Sequence, residues 1–247
     1  WIARNSQRHL GSRAQLEAAR AAPLLHGADA LYDSSNVAHA RRWQLRLPDA
    51  QRTQRYLSQV RQRTLALLRD AADTDDALYF FRWLLMHEAM HHEAGLMIAQ
   101  GQGWPLSQAA PAAAAAPRRE LEVAGGTLVQ GEDDGGFAFD NELGAHTVEL
   151  ADFAIDSAPV TWRELLPCFE AGGALPRYVV LDETYEHGLK RAAFGRWVAL
   201  ELDAPAVHLN AHDAQAWCRW AGRRLPTEHE WVWAQRQHAD DFVFGEV

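Results

Sequence analysis

One stretch of the sequence decides how the rest is interpreted: Phe80-Phe81-Arg82-Trp83-Leu84-Leu85-Met86-His87-Glu88-Ala89-Met90-His91-His92-Glu93-Ala94. It contains no Pro or Gly and has an apolar run ahead of its histidines, which predicts a helix. His87 and His91 are four residues apart, so on a helix they differ by roughly 40° in direction and about 6 Å in height and leave the same face. That face also carries the apolar residues Phe80, Trp83, Leu84, Met90, Ala94 and Ile98. We therefore expect both imidazoles to point into an apolar interior.

The histidine pair has two interpretations. An imidazole without a partner is costly in an apolar interior, so the two rings either hydrogen-bond within the core or bind a metal ion. Imidazole is the commonest metal ligand, and two of them on one helix face favour metal binding. A metal site needs a further ligand from elsewhere in the chain. By residue type alone, His9, His26 and His39 are candidates, although each also fits an ordinary surface histidine.

The same residues contain the zinc-peptidase motif HExxH, as His87-Glu88-Ala89-Met90-His91. The extended form of that motif places Gly and His where this chain has Ala94 and Met97. The segment after the helix is rich in Pro and Ala, which leaves no following helix for a third glutamate ligand. A zinc peptidase is therefore disfavoured. Glu93 lies about 240° round the helix from His87, so we expect it either to orient a ligand from outside the metal site or to form a structural ion pair.

Composition limits the classes of partner and compartment. The 247 residues carry a net charge of −9, which argues against binding to nucleic acid or to an anionic membrane surface. The cysteines, Cys168 and Cys218, form no CxxC motif, so we predict buried structural thiols in a reduced, cytoplasmic protein. No apolar run approaches the roughly 20 residues of a transmembrane helix. The chain begins at Trp1, without Met, and we expect natural sequence beyond both of its ends.

The composition and the residue patterns of the sequence divide the chain into three parts. Residues 1–100 are predicted to be all-α, with a long amphipathic helix that begins at Pro48-Asp49 and is followed by the histidine helix, as in an up-and-down bundle. Residues 101–119 are predicted to be a linker, because glycines and a proline stop the helix and a Pro- and Ala-rich run follows. Residues 120–247 are predicted to be an α+β domain.

The α+β part contains strand and capping patterns. Thr161, with Glu164 three residues later, predicts the start of a helix. A second helix is predicted over residues 212–221, and a cap with a short third helix over residues 225–230. Residues 174–205 have no clear pattern. Alternation of apolar and polar residues predicts strands at residues 121–123, 127–129, 146–150 and 153–155.

The most specific stretch of the chain lies in this part: Gly222-Arg223-Arg224-Leu225-Pro226-Thr227-Glu228-His229-Glu230-Trp231. With Gly136-Phe137-Ala138-Phe139-Asp140-Asn141-Glu142, it resembles the formylglycine-generating-enzyme-like domain, which has a C-type-lectin-like α+β fold. A helical region with His87, His91 and Glu93 ahead of such a domain resembles the ergothioneine-type sulfoxide synthases. The resemblance implies a multidomain protein, with an all-α DinB-like four-helix bundle over residues 1–100 and the formylglycine-generating-enzyme-like domain over residues 120–247.

This family resemblance implies a chemistry. Ergothioneine-type sulfoxide synthases are non-haem iron(II), O2-dependent enzymes that join sulfur to the imidazole of hercynine, the trimethylated betaine of histidine. Three histidines hold their iron, and two of these correspond to His87 and His91. The third lies on the first bundle helix, in a segment expected ahead of Trp1. The expected partners are therefore small molecules, namely hercynine, O2 and a donor, with neither nucleic acid nor membrane.

Within the family, the chain looks more like the selenoneine synthases, which form the equivalent carbon–selenium bond from a selenosugar. This resemblance rests on residues 31–39, on Arg42-Trp43 and on residues 87–94. Sulfoxide synthases commonly have Gln at the position of Met90, which faces the metal, and place a thiol-binding Arg around residues 32–48. We therefore expect C–Se bond formation, with C–S bond formation from a thiol donor as the alternative.

The resemblance also gives candidates for substrate contacts. The trimethylammonium group of hercynine requires an aromatic or acidic cradle, for which Trp43 and Trp83 are candidates. Arg42 and Arg46 are candidates for contacts to the donor, and Met90 for a contact beside the metal. The alternative of another class is a non-catalytic ligand-binding module, because lectin-like domains can hold ligands without catalysis.

Overall fold

The computed structural model describes the greater part of the chain. Residues 1–21, which include His9, lie outside the described residues. The same holds for residues 107–116 of the predicted linker. The chain divides into two compact units, one formed by residues 1–91 and 133–143 and the other by residues 92–132 and 144–247. The described residues are 22–33, 37–106, 117–133, 136–172 and 175–242.

The first unit contains the long helix that the sequence predicts after Pro48. Helix α1, Ala28–Tyr32, is short. Helix α2, Ala50–Arg69, begins where the Asp49 carboxylate accepts a hydrogen bond from the backbone N–H of Arg52 at 2.7 Å. No side chain of α2 is fully buried. The helix is confirmed, whereas the four-helix bundle stays a prediction, because the described part of this unit has only α2 and the first part of α3 as long helices.

Helix α3, Asp75–Gln102, is the histidine helix and confirms that prediction. Its first residue is held in place by two hydrogen bonds, because the Asp75 carboxylate accepts from the Arg82 guanidinium and from the backbone N–H of Gly136. The Arg82 guanidinium, followed by the Gly136 N–H, lowers the pKa of the Asp75 carboxyl. Neither α3 nor another helix in the described ranges combines the length and the apolar character that crossing a bilayer requires.

The second unit contains two antiparallel strand pairs. Strand β1 pairs with β4 so that Leu121 lies opposite Ile155, and β2 pairs with β3 so that Leu128 lies opposite Val148. Leu121 and Leu128 are buried, as their alternation with polar residues predicts. These strands are β1 Glu120–Val123, β2 Gly126–Gln130, β3 His146–Leu150 and β4 Phe153–Asp156.

A three-stranded antiparallel sheet occupies the region that has no clear sequence pattern. Its strands are short, and Lys190 and Arg191 interrupt the apolar alternation in the middle one. Lys190 pairs with Asp182 at 2.6 Å, so the charge on this half-buried side chain is compensated within the sheet region. The strands, in the spatial order β5-β6-β7, are β5 Val179–Leu181, β6 Leu189–Ala193 and β7 Arg196–Ala199.

Helices α4 and α5 form the main core of this unit together with β5 and β6. Cys168 and Cys218 are both buried there as free thiols, which confirms their predicted structural role. The Trp217 indole N–H donates to the carbonyl of Glu164 at 2.9 Å and ties α5 to α4. The three helices are α4 Trp162–Glu170, α5 Ala211–Trp220 and α6 Glu228–Gln237.

The C-terminal end of α3 is fastened to the turn between β6 and β7. The Gln100 side chain, only 5% exposed, donates to the carbonyl of Ala192 at 2.9 Å and accepts from the backbone N–H of Phe194 at 2.8 Å. Gly195 has φ +76 and lies against Gly103 so closely that a Cβ atom there would overlap the Gly103 carbonyl. Only glycine fits this close approach of two backbones.

Candidate functional site

The two predicted metal ligands lie side by side on α3. The imidazole centroids of His87 and His91 are 4.5 Å apart, and the ring planes meet at 74°. One turn earlier, the indole of Trp83 stacks on the His87 imidazole, with centroids 4.7 Å apart and planes 14° from parallel. The spacing of four residues therefore brings the two imidazoles together, as predicted.

The face that carries the histidines is more exposed than the sequence predicts. Met90 is 59% exposed and Ile98 is 55% exposed, and His91 is exposed as well. The expected apolar interior is therefore only partly confirmed. Among the described residues of this face, Phe80, Trp83, Leu84 and His87 are half-buried, whereas Met90, His91, Ala94 and Ile98 are exposed. Packing in these ranges fully buries side chains only towards the two ends of the helix. The buried residues of α3 are Tyr79, Phe81, Ala99 and Gln100.

The pair fits a divalent metal ion in the chemistry of its donors. Two imidazoles one turn apart bring two neutral nitrogen ligands together, and imidazole suits iron, zinc, nickel and copper. Across the described ranges, no group of three or more His, Cys, Asp and Glu side chains forms a complete metal site. His26 and His39 are exposed and make no ring contact with the pair. The described residues therefore bring two candidate ligands together, and a third one beside them is not found in these ranges.

The other predicted site residues, Arg42, Trp43, Arg46 and Glu93, are exposed. Arg42 and Trp43 lie on a 3-10 helix, His39–Gln44, and Trp43 is 84% exposed. Arg46 follows that helix as an exposed residue, and Glu93 is exposed on α3. No hydrogen bond, ion pair or ring contact joins Trp43, Arg46 or Glu93 to the pair in the part of the chain that the structure describes. Their roles stay predictions.

The most specific sequence motif proves to be a helix cap. The backbone N–H of Glu230 donates to Thr227 Oγ1 at 3.2 Å, and the Glu230 carboxylate accepts from the Thr227 N–H at 2.8 Å. Arg224 holds the same carboxylate through two hydrogen bonds, of 2.6 and 2.7 Å. The hydrogen bonds from Arg224 have the largest effect, and together with those from Thr227 they lower the pKa of Glu230 to about 2. The motif therefore fastens the start of α6, and its carboxylate is structural.

Replacing Glu230 by glutamine tests this cap. Because the pKa is about 2 in the folded protein and 4.5 ordinarily, the carboxylate stabilises the fold fully above about pH 4.5 and loses this effect as the pH falls towards 2. We expect Glu230→Gln to lower the free energy of unfolding at pH 7 by about 1–2 kcal/mol and to flatten its decline in acid. Urea unfolding at a series of pH values measures both effects.

Glu228→Gln is the matched control for this prediction. Glu228 lies in the same first turn of α6, is exposed, and accepts a single hydrogen bond from the Gln130 side chain at 2.9 Å. Its variant is expected to keep the acid dependence of the wild type. An unchanged acid dependence in Glu230→Gln would contradict the structural role of that carboxylate.

A group of ion pairs joins distant parts of the second unit, and we call it the Asp156 group. The Asp156 carboxylate accepts from Arg118 at 3.0 Å and from Arg223 at 3.2 Å. Arg118 also pairs with Glu164 at 2.6 Å, and Arg223 with Glu120 at 2.7 Å. The side chains of Asp156 and Arg118 are about four-fifths buried. Sequence reasoning missed this group because no local pattern connects its members.

An open cavity of about 1060 Å³ lies beside the Asp156 group. Trp217, Trp231 and Phe242 supply aromatic parts of its lining. Its lining also includes Cys218, and burial raises the pKa of this thiol, which makes it a poor nucleophile at neutral pH. The carboxylates of the lining already have partners among the described residues. Asp152, for example, accepts a hydrogen bond from the backbone N–H of Gly125 at 2.7 Å. The cavity therefore points to no particular class of ligand.

Residues 106–246 match the family profile described as the FGE-sulfatase, or sulfatase-modifying factor enzyme 1-like, domain. The matched segment is more than half of the chain. It contains the seven strands seen in the described residues and the capping motif of α6. The α+β fold of this part and its resemblance to a formylglycine-generating-enzyme-like domain are thereby confirmed.

Curated relatives extend the similarity beyond this segment. The chain is 31% identical over 229 residues to the hercynine oxygenase of Mycolicibacterium smegmatis. That alignment covers 82% of this chain and 52% of the relative. It is 30% identical over 225 residues to the hercynine oxygenase of Mycobacterium tuberculosis, and this alignment covers 82% of the chain and 53% of that relative. The chain is 30% identical over 164 residues to the formylglycine-generating enzyme of Streptomyces coelicolor. That alignment covers 53% of this chain and 52% of the relative. The chain thus spans about half the length of these relatives.

Proposed function

Since the chain belongs to the family of the sulfatase-modifying factor enzyme 1-like domain, we propose that it is part of a non-haem iron(II), O2-dependent enzyme that acts on hercynine. The proposed reaction couples the selenium of a selenosugar to C2 of the hercynine imidazole, as in selenoneine biosynthesis. The alternative donor is a thiol, with C–S bond formation as in ergothioneine biosynthesis. Both reactions use small-molecule substrates and O2 as the oxidant.

The observation that carries this proposal is the extent of the similarity to hercynine oxygenases. An alignment over 82% of the chain is longer than the family segment, residues 106–246. A continuous stretch of that length includes residues 87–91 wherever it begins. The histidine helix and the α+β part are therefore both similar to proteins whose name gives hercynine as their substrate.

The proposal assigns a role to each part of the chain. Residues 1–100 are the DinB-like bundle, residues 101–119 the linker and residues 120–247 the formylglycine-generating-enzyme-like domain. The length of α2 and α3 supports the first assignment, and the strands β1 to β7 support the last. On the family resemblance alone, we expect the third iron-binding histidine from a segment ahead of Trp1.

His87 and His91 are the proposed iron ligands. When bound, iron would supply the activation of O2. The two imidazoles are neutral ligands, so they leave the positive charge of a metal ion uncompensated and favour an anionic selenolate or thiolate beside it. Glu93 is proposed to act from outside the ligand set, because it leaves α3 in another direction.

Met90 weakens the assignment of a thiol donor, because the sulfoxide synthases commonly have Gln at this position. It precedes His91, and its thioether side chain is 59% exposed. A thioether has no N–H or O–H group, so it cannot donate the hydrogen bonds that a glutamine side chain at this position could donate. Arg42 and Arg46 are proposed to contact the anionic donor, and the 84% exposed ring of Trp43 is proposed to face the trimethylammonium group of hercynine.

Aerobic incubation of the natural full-length protein with Fe(II) and hercynine tests the proposal. Parallel reactions contain a selenosugar, cysteine or γ-glutamylcysteine, and mass spectrometry identifies the product. A hercynine–selenium adduct supports the first reaction, and a hercynine–sulfur adduct supports the alternative. Bound iron without a product from any donor would overturn the enzymatic function and favour a ligand-binding module.

A further inference from the structure

The stacking of Trp83 on His87 has a consequence for metal binding. The two ring planes are 14° from parallel and the centroids are 4.7 Å apart, whereas His91 meets His87 at 74°. We propose that Trp83 is a positioning residue that holds the His87 imidazole in the orientation for binding a metal together with His91. This inference rests on the proposed function, because it takes the two histidines as metal ligands.

The geometry suits this role because of the way in which imidazole binds metals. A metal ion approaches a ring nitrogen at the edge of the imidazole and in the plane of the ring. The indole covers a face of the His87 ring, so it restricts rotation of the ring and leaves the edge nitrogens open. A side chain on an exposed helix face otherwise samples several rotamers, and binding has to select one of them.

The charge distribution of the indole acts in the same direction. Coordination draws electron density from an imidazole and makes its ring more positive. The face of an indole is the negative part of its quadrupole, so Trp83 stacks more favourably on the coordinated ring than on the free ring. The indole face that stacks on His87 is not accessible, so it cannot also bind the trimethylammonium group of a substrate. The positioning role therefore replaces the predicted contact of that face of Trp83 with hercynine.

Metal titration of the natural full-length protein measures the effect of Trp83 without catalysis. Trp83→Ala is expected to weaken the binding of Ni²⁺, measured by isothermal titration calorimetry, by about three- to tenfold, because the His87 ring loses its preset orientation. Trp83→Phe keeps an aromatic face and is expected to stay within about twofold of the wild type. Trp104→Ala, which removes a 57% exposed indole just after the same helix, is the matched control with unchanged affinity.

A spectroscopic measurement on the wild-type full-length protein adds a readout that a merely structural role would not move. The chain has 10 tryptophans, and comparison with Trp83→Phe assigns the Trp83 indole N–H signal in a ¹⁵N-correlation spectrum. Paramagnetic Co²⁺ bound at the pair is expected to broaden this signal before that of Trp104. Wild-type affinity in Trp83→Ala, or no selective broadening, would overturn the positioning role while metal binding stands. Absence of any metal binding by the wild type would overturn the proposed metal site and this inference with it.

Discussion

Replacing His87 or His91 by alanine is expected to lower the affinity of the natural full-length protein for Ni²⁺ by at least about tenfold, more than the loss of a residue that only supports a ligand. Each variant removes one imidazole of the pair, and a divalent ion is held far less tightly when one of the ligands that lie together is lost. In the natural full-length protein with Fe(II), we expect the same variants to abolish the hercynine product. Calorimetry with Ni²⁺ and the aerobic assay measure these losses separately.

His92→Ala is the matched control for the ligand variants. His92 is adjacent to His91 in the sequence, but it leaves α3 roughly 100° further round the helix, and it is exposed. Its variant is expected to bind Ni²⁺ as the wild type does. Equal losses in all three variants would indicate unspecific binding to surface imidazoles, and wild-type affinity in His87→Ala or His91→Ala would remove that residue from the site.

Gly195→Ala is expected to destabilise the second unit by about 3 kcal/mol or more. Its φ of +76 costs an alanine about 1–2 kcal/mol. The new Cβ atom would also overlap the Gly103 carbonyl, whose carbon would lie only 3.1 Å away. Relief of this overlap separates the turn from the end of α3 and breaks the two hydrogen bonds of Gln100, a buried amide that then loses its partners. Urea unfolding measures the loss.

Gly188→Ala separates the backbone term from the overlap. Gly188 has φ +66 and lies just before β6, but a Cβ atom there meets nothing within 4 Å. Its variant is therefore expected to lose about 1–2 kcal/mol, from the left-handed backbone alone. If the two variants were equally destabilised, the close approach of Gly195 to Gly103 would carry no energetic weight.

The parts of the fold that follow from local patterns were predictable from the sequence. Asp49, Thr161 and Thr227 each cap a helix at the expected place. The strands β1 to β4 have the expected alternation. The sheet β5-β6-β7 was missed because its strands are short and because the charge of Lys190 is balanced by Asp182, eight residues away. Such compensation depends on tertiary contacts, which a local pattern does not contain.

The candidate site was predictable in its positions and not in its surroundings. The spacing of His87 and His91 determines that the rings meet on one helix face, and the structure has them there. The same periodicity places Trp83 on that face, but it does not indicate that the indole stacks on one of the rings. The burial of this face was overestimated because an apolar face indicates only that a helix packs against other segments. It does not indicate which segments these are.

The Asp156 group has a consequence for the order in which the second unit folds. Its hydrogen bonds join residues that are 38, 67 and 103 positions apart in the chain. Contacts across such separations form only after long loops have closed, so we expect them to be weak in the transition state for folding. Interactions that are absent from the transition state act on the rate of unfolding. We therefore expect loss of the Asp156 group to speed unfolding of this unit more than it slows folding, and loss of the local caps to slow folding.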